Sequence, residues 1–431
     1  MDKKIIIKRI LIVVFFVLLT MVTISELNKG SVDFNSNLSK NKVVEITFSS
    51  SWGGADIRSQ ALEKVLEEFE KENPDIKVKN RSRGNDDFLY TLKTDFAQGN
   101  EPDVFGLWPG SDERKLISSG KVANLSPILD EDMQWKHSFK TEAWDYVTFG
   151  DKIYALPLEI IYEGLFINKS LFHRYNIKVP ENYEELKNSV KEFRKHNIIP
   201  IAFNCTPEGT YLYQNIVMKL GGKEDIENPY ASGKISENYI KGMNYMKELY
   251  EMKAFPEDVF IIDDKARNNL FLQKKAAMIV QGSWFIGDGA VSSLDKDIQL
   301  IPFPVFEEGA ADKSAIVYGV GNGNFHMSSR AFYSQEKREA SIKLLKYLTT
   351  EEVAKVLINS TGSMANLRIT DDTEEKGLIL TGRNMVKSSR ELVGPPDSFI
   401  ERTNWENILV KKFPEMLEGN VSPEEIFEEM E

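Results

Sequence analysis

Apolar positions in this chain recur with two periods. In VVEITFSS, from Val43 to Ser50, apolar and polar residues alternate, which predicts a strand with one buried face. Directly afterwards Ile57, Ala61, Leu62, Val65, Leu66 and Phe69 recur at helical spacing, and Asn73-Pro74 stops the run. IKVKN then restarts a strand. A strand, a helix and a second strand make the unit of a parallel sheet. The same alternation continues: DDFLYTLKTDFAQG predicts a helix ending at Gly99, and PDVFGLW a short buried strand. DKIYALPLE, EGLFINK, IPIAF, AAMIV, IQLIPFPV and VYGVGNG predict further strands. NYEELKNSVKEFRKHN, ISENYIKGMNYMKELYEM, DDKARNNLFLQK and EKREASIKLLKYLTTEEVAKVLIN predict helices, and the chain from about Asp371 reads mainly helical. The class is α/β, with no tandem repeat.

The first 42 residues follow neither period. Lys3, Lys4, Lys8 and Arg9 precede an apolar run from Ile10 to Ile24, the layout of an export signal. As a helix that run spans only about 22 Å, short of the roughly 30 Å hydrocarbon core. No Ala-x-Ala cleavage site follows, so residues 1–27 are expected to be either a cleaved signal peptide or a retained N-terminal membrane anchor. Residues 28–42 are small and polar and read as a tether. Both readings put the remainder outside the cytoplasmic membrane. No cysteine follows the apolar run, which excludes lipid attachment there.

Composition narrows the function classes. The 431 residues can form two or three domain-sized units, and 42% are hydrophobic, enough for a substantial core. A net charge of -12 argues against a nucleic-acid partner. The single cysteine, Cys205, permits no intrachain disulfide and has no basic neighbour, so an inert thiol is expected. Four scattered histidines show no metal spacing, and no catalytic motif appears. No metal and no cofactor are expected. GVGNGNF lacks the last glycine and the acidic residue of a dinucleotide loop; its glycines instead let another backbone or a ligand come close.

Three of the six tryptophans share a placement. Trp52, Trp108 and Trp284 each fall where a predicted strand ends and a loop begins, the side on which open α/β sheets bind ligands. A lone tryptophan would be assigned to the core; three in one placement point to display in a cleft. Polar residues cluster beside them. Asp56 and Arg58 follow Trp52, Ser111 and Asp112 follow Trp108, and Asp288 follows Trp284. Glu159, Tyr162 and Glu163 come from LPLEIIYEG, Asn204 and Tyr211 from NCTPEGTYLY, and Gly321 and Asn322 from the glycine-rich strand end. Aromatic faces beside acid and amide groups suit a sugar ring, with its apolar C–H faces and hydroxyls.

In order along the chain, FEKENPDIKV, EPDVFGLW, LISSGKVANLSPIL, DKIYALPLE, GLFINKSLFHRYNIKVPENYEELKNSVKEFRKHNIIPIAF, KKAAMIVQGSW, VYGVGNG and EASIKLLKYLTTEEVAKVLINSTGSMAN resemble an extracellular solute-binding protein of an ABC importer, in the carbohydrate-binding family. The resemblance covers about Val43 to Glu431. It implies a two-lobed fold of the periplasmic-binding-protein type, hinged by several chain crossings, with ligand held between the lobes. By resemblance the crossings fall near residues 155–158, 301–305 and 348–351. That assigns 43–157 and 301–350 to lobe 1, and 158–300 and 351–431 to lobe 2. It further implies a monomer that captures a sugar or oligosaccharide, delivers it to ABC permease subunits and is not an enzyme. A secreted glycan-active enzyme and an extracytoplasmic sensor domain of the same fold are the alternatives. Polyamine, peptide and phosphate-ester ligands stay open, although few basic cleft candidates argue against anions.

Overall fold

The computed structural model describes residues 43–430 apart from residues 55, 57, 288, 359–360 and 370–375. The expected signal or anchor (1–27), the tether (28–42) and Asp288 lie outside the described residues.

The chain opens with β1 (Val44–Ser49), α1 (Ser59–Glu72), β2 (Ile76–Asn80), α2 (Asn85–Gln98), β3 (Val104–Gly106), α3 (Ser111–Ser118) and β4 (Leu156–Pro157). β1 pairs in parallel with β2 and with β3, as the strand–helix–strand pattern requires. Leu62, Val65, Leu66 and Phe69 form the buried face of α1. Each contributes about 1.5–3 kcal/mol by leaving water. Asn73 closes the helix by donating from Nδ2 to the Phe69 carbonyl at 3.0 Å, and Pro74 cannot extend it.

A second sheet forms around β5 (Glu159–Asn168), ten residues buried on both faces. It gathers β6 (Ile199–Ile201), β7 (Ala276–Gly282), β8 (Ile298–Ile301), β9 (Ile316–Val320), β11 (Met364–Ala365) and β12 (Leu392–Val393). The first half of β5 runs between β9 and β11, and the second half between β8 and β7, all antiparallel to it. β10 (Asn324–Met327) returns to the first sheet, where it lies antiparallel between β3 and β4. The first sheet is thus ordered β2-β1-β3-β10-β4.

Each sheet has its own core. Phe48, Phe69, Phe325, Met327 and Leu344 pack on the first. Tyr213, Met243, Trp405 and Phe413 pack beside the second, as do Phe166, Phe285 and Ile316 in an adjoining cluster.

The chain passes from first sheet to second at Leu158, within the first predicted crossing. The other two crossings differ from the expectation. Residues 301–350 were assigned to one lobe, but the pairing divides them. β9 belongs to the second sheet and β10 to the first, so the return crossing is Gly321–Gly323. Phe303 and Phe306 sit in the second core. The helix Glu351–Leu357, expected in lobe 2, buries Val353, Ala354 and Leu357 in the first core. The resemblance placed a crossing at 301–305, whereas the hydrogen bonds of Tyr183 N and Val305 N to Val305 O and Glu181 O fix that stretch to one body.

Candidate functional site

Between the two sheets lies a cavity of about 1020 Å³. Strand parity decides what β5 shows to it. Successive side chains point to opposite faces, so Glu159, Ile161 and Glu163 line the cavity. Tyr162 is turned the other way, fully buried, its hydroxyl donating to the Gly362 carbonyl at 2.9 Å. Glu159 is held by its own protein: Arg58 Nη1 meets Oε1 at 2.7 Å, and the Gly323 amide donates to Oε2 at 2.9 Å. Arg58 also clasps Asp56, Nε to Oδ1 at 2.9 Å and Nη2 to Oδ2 at 2.8 Å. The crossing glycines make this close approach possible. A Cβ at Gly321 would stand 2.6 Å from Glu159 Oε2, and one at Gly323 would stand 2.6 Å from Glu159 Cβ.

Asn322, between those glycines, is buried and lines the cavity. Its Oδ1 accepts from the Ser51 amide at 3.2 Å, and its Nδ2 has no hydrogen-bond partner. That donor is available to a ligand oxygen.

Glu163 differs from Glu159. It is 2% exposed, and its hydrogen bond is to a neutral amide, Asn215 Nδ2 at 2.7 Å from Oε2. Burial, with Asp397 adding to it, raises its carboxyl well above the ordinary range. Asp397 is raised as well, by burial first, with the Arg402 charge opposing.

The second wall is built from the ends of strands and the start of a helix. Trp284 follows β7 in a 3-10 turn, Ser283–Gly287, and its ring packs against Gly282, where a Cβ would be 2.1 Å from ring carbons. Tyr211, first residue of the helix Tyr211–Glu227, meets the Trp284 ring edge-on at 5.6 Å and 70°. Burial raises the Tyr211 hydroxyl, as do the neighbouring carboxylates Glu208, Glu163 and Asp397. Asn204 is fully buried behind this wall. Its Oδ1 accepts from Arg267 Nη1 at 3.1 Å, and Arg267 Nη2 in turn meets Glu208 Oε2 at 3.0 Å.

At the mouth, α3 of the first lobe faces the loop and helix around Arg402 of the second. The Ser111 hydroxyl accepts from the Arg402 amide at 2.8 Å. Asp112 pairs with Lys93 at 2.8 Å and lies 3.6 Å from Arg402 Nε. Arg114 Nη2 donates to the Ser398 carbonyl at 2.9 Å, and Lys115 meets Glu401 at 2.5 Å. The Arg402 guanidinium lies over the Trp108 ring, 5.0 Å from its centroid.

Of the sequence-derived candidates, Asp56, Arg58, Trp108, Glu159, Glu163, Tyr211, Trp284, Gly321 and Asn322 line the cavity. Five are corrected in position. Trp52 is fully buried in the first core, edge-on to Phe325 at 5.6 Å with Arg58 lying over its ring at 4.7 Å. Tyr162 faces away, Asn204 stands behind Arg267, and Ser111 and Asp112 are spent on the contact between lobes. Sequence reasoning missed Glu113, Glu208, Asp397 and Arg402, all of which line the cavity. Glu208, in the same NCTPEGTYLY loop as Tyr211, carried a usable signal; Asp397 and Arg402 carried none, because the C-terminal region read only as helix. Glu113 is fully buried, its Oε1 2.8 Å from His326 Nε2, and its Oε2 has no hydrogen-bond partner.

Among the described residues eleven carboxylates and six basic side chains line the cavity; Arg58, Lys93, Lys223 and Arg402 are in ion pairs, while Arg114 and Lys411 bond the neutral oxygens of Ser398 and Asn407. The excess of acids over bases disfavours an anionic ligand.

Two packed α/β lobes around such a cleft define a binding protein of the two-lobed type. The chain belongs to the bacterial extracellular solute-binding protein family, whose model matches residues 54–355. It is 24% identical to the multiple sugar-binding protein of Streptococcus mutans over 322 residues, 70% of this chain and 71% of that one. A structure from work on xylan utilization by Caldanaerobius polysaccharolyticus superposes with a TM-score of 0.79 at 24% identity, covering 90% of this chain and 99% of the other. Maltose-bound MalE3 of T. maritima gives 0.73 at 20% identity, covering 90% and 98%. The expected fold and family are those found.

Proposed function

We propose that this protein captures a sugar or oligosaccharide between its lobes by closure and delivers it to the permease of an ABC importer, without chemical turnover. The observation that carries the reading is Trp284. Its ring is partly exposed in the cavity wall, packed against Gly282 and braced by Tyr211. A rigid aromatic face beside free acid and amide groups matches a pyranose ring. The cavity, about 1020 Å³, stands at the upper end of the roughly 300–1000 Å³ usual for small-molecule sites, which suits more than one sugar unit. Family membership and the sugar-binding protein of Streptococcus mutans support the same class.

In this reading lobe 1 carries the first sheet with Gln335–Leu348 and Glu351–Leu357, lobe 2 carries the second sheet, and the chain works as a monomer on the outer face of the cytoplasmic membrane. Residues 1–42 direct export and either leave or remain as the anchor. Glu159 is tied to Arg58 and to a backbone amide, so it serves as a scaffold and not as an acid catalyst. A thermal-shift screen against mono- and oligosaccharides tests the reading, since a ligand of the native state alone raises the melting temperature. Trp284→Ala is expected to weaken binding of the best sugar about tenfold, within the roughly 1–3 kcal/mol of an aromatic stacking platform, while circular dichroism stays native. Product released from any saccharide, or unchanged affinity in Trp284→Ala, would overturn it.

A further inference from the structure

β5 carries two acids on its cleft face, about 13 Å apart at roughly 3.3 Å per residue, and the fold treats them differently. Glu159 receives a guanidinium at 2.7 Å. Glu163, 2% exposed, receives only the Asn215 amide at 2.7 Å, and that bond occupies one oxygen. The group that bears on it electrostatically is Asp397, another carboxylate. Glu208, the third acid of this wall, is answered by Arg267 at 3.0 Å, and Asp397 has the charge of Arg402 acting on it. Among the described residues Glu163 alone of these four acids has no protein cation, and it lines the cavity with Tyr211 and Trp284.

A buried carboxylate without a cation is costly unless something supplies the charge. A neutral sugar supplies only hydroxyl hydrogen bonds. An ammonium supplies the missing charge, and it is attracted as well by the faces of tyrosine and tryptophan. Among the described residues Arg58, Lys93, Lys223 and Arg402 are held in ion pairs, Arg114 and Lys411 bond the neutral oxygens of Ser398 and Asn407, and the carboxylates lining the cavity outnumber these six bases.

We infer that the cleft takes a saccharide bearing a protonated primary amine, seated with its ammonium between Glu163 and Asp397 against the aromatic pair of Tyr211 and Trp284. The inference rests on the saccharide reading above and specifies its ligand. The amine gives Glu163 the counter-charge that Arg58 gives Glu159. Asn322 Nδ2, unpartnered and buried, remains for a ring hydroxyl.

Calorimetric titration of the full chain at pH 6.5 tests it with three disaccharides. These are the β1→4 dimer of glucosamine, its N-acetylated form and cellobiose. The first is expected to bind at least tenfold more tightly than either neutral compound. Glu163→Gln keeps the shape and the acceptor oxygen but cannot give up a proton to become the ammonium's counter-charge. It should abolish that preference, so that the glucosamine dimer binds the variant no more tightly than cellobiose does. Asp397→Asn should reduce the preference in part, and provides a second test should Glu163→Gln misfold. Tighter binding of a neutral disaccharide, or a preference that survives in both variants, overturns the cationic ligand and leaves the saccharide reading standing. Failure of all three to bind, with melting temperatures equally unmoved by a wider sugar panel, removes both.

Discussion

Glu163 sets a pH dependence for the empty protein. Its carboxyl is raised by burial and by Asp397, so the folded state holds a proton that the unfolded chain has already released. Stability therefore falls as pH rises from the ordinary carboxylate range toward the raised value. Glu163→Gln should remove one proton's share of that fall, making the unliganded variant more stable than the parent at neutral pH. Urea unfolding at several pH values measures it; equal slopes against pH would contradict the assignment. Two of the three tryptophans next to strand ends, Trp52 and Trp284, divide in the same physical way. Trp52 is packed on Phe325, and Trp52→Ala should cost about 3–5 kcal/mol, as loss of a large core side chain does. Trp284→Ala should leave the melting temperature nearly unchanged and act on affinity.

At the scale of elements, Gly282 shows how a strand end can be a mount for a side chain. A methyl there would stand 2.1 Å from the Trp284 ring. Gly282→Ala should therefore tilt the ring and lower sugar affinity about as far as Trp284→Ala does, with the tryptophan still present; its fluorescence shift on sugar binding should shrink in parallel. Much of this level was legible in the chain. Alternation and helical spacing marked the strands and helices of the first lobe, and tryptophans at strand ends located Trp108 and Trp284. What the pattern could not show was pairing. EIIYEGLFIN is buried on both faces, so its period set Glu163 and Tyr162 on opposite sides without telling which side met the cavity until the sheet fixed it. Trp52 shares the placement of Trp284, but β10, distant in sequence, covers it. The resemblance placed a crossing at 301–305, whereas the return to the first sheet runs through Gly321 and Gly323, where a side chain would collide with Glu159.

For the whole molecule, the contact at the mouth sets how readily the lobes part. Ser111, Asp112, Arg114 and Lys115 of one lobe meet Ser398, Glu401 and Arg402 of the other. Several of these groups are exposed, so each pair is weak and screened by salt. Arg402 joins the most of them, adding its guanidinium over Trp108. Arg402→Gln should enlarge the radius of gyration of the empty protein in solution scattering. A smaller closed population lowers the affinity for every ligand by the same factor, so calorimetry should show several-fold weaker binding of all sugars that bind, with their ranking unchanged. A changed ranking would mean that Arg402 contacts ligand directly.

The place of β10 has a consequence in time. It lies between β3 and β4, yet it is made only after the strands β5 to β9 of the other sheet. A ribosome adds roughly 5–20 residues per second, so β3 waits many seconds for its neighbour while the chain emerges. The first lobe cannot complete its sheet on the nascent chain until Met327 is out. A polypeptide destined for the outside of a cell is thereby kept loose during the interval in which a translocation machine must thread it. Moving the β10 segment to a position directly after β3 by circular permutation would close that window, and faster folding of the permuted chain should accompany slower secretion.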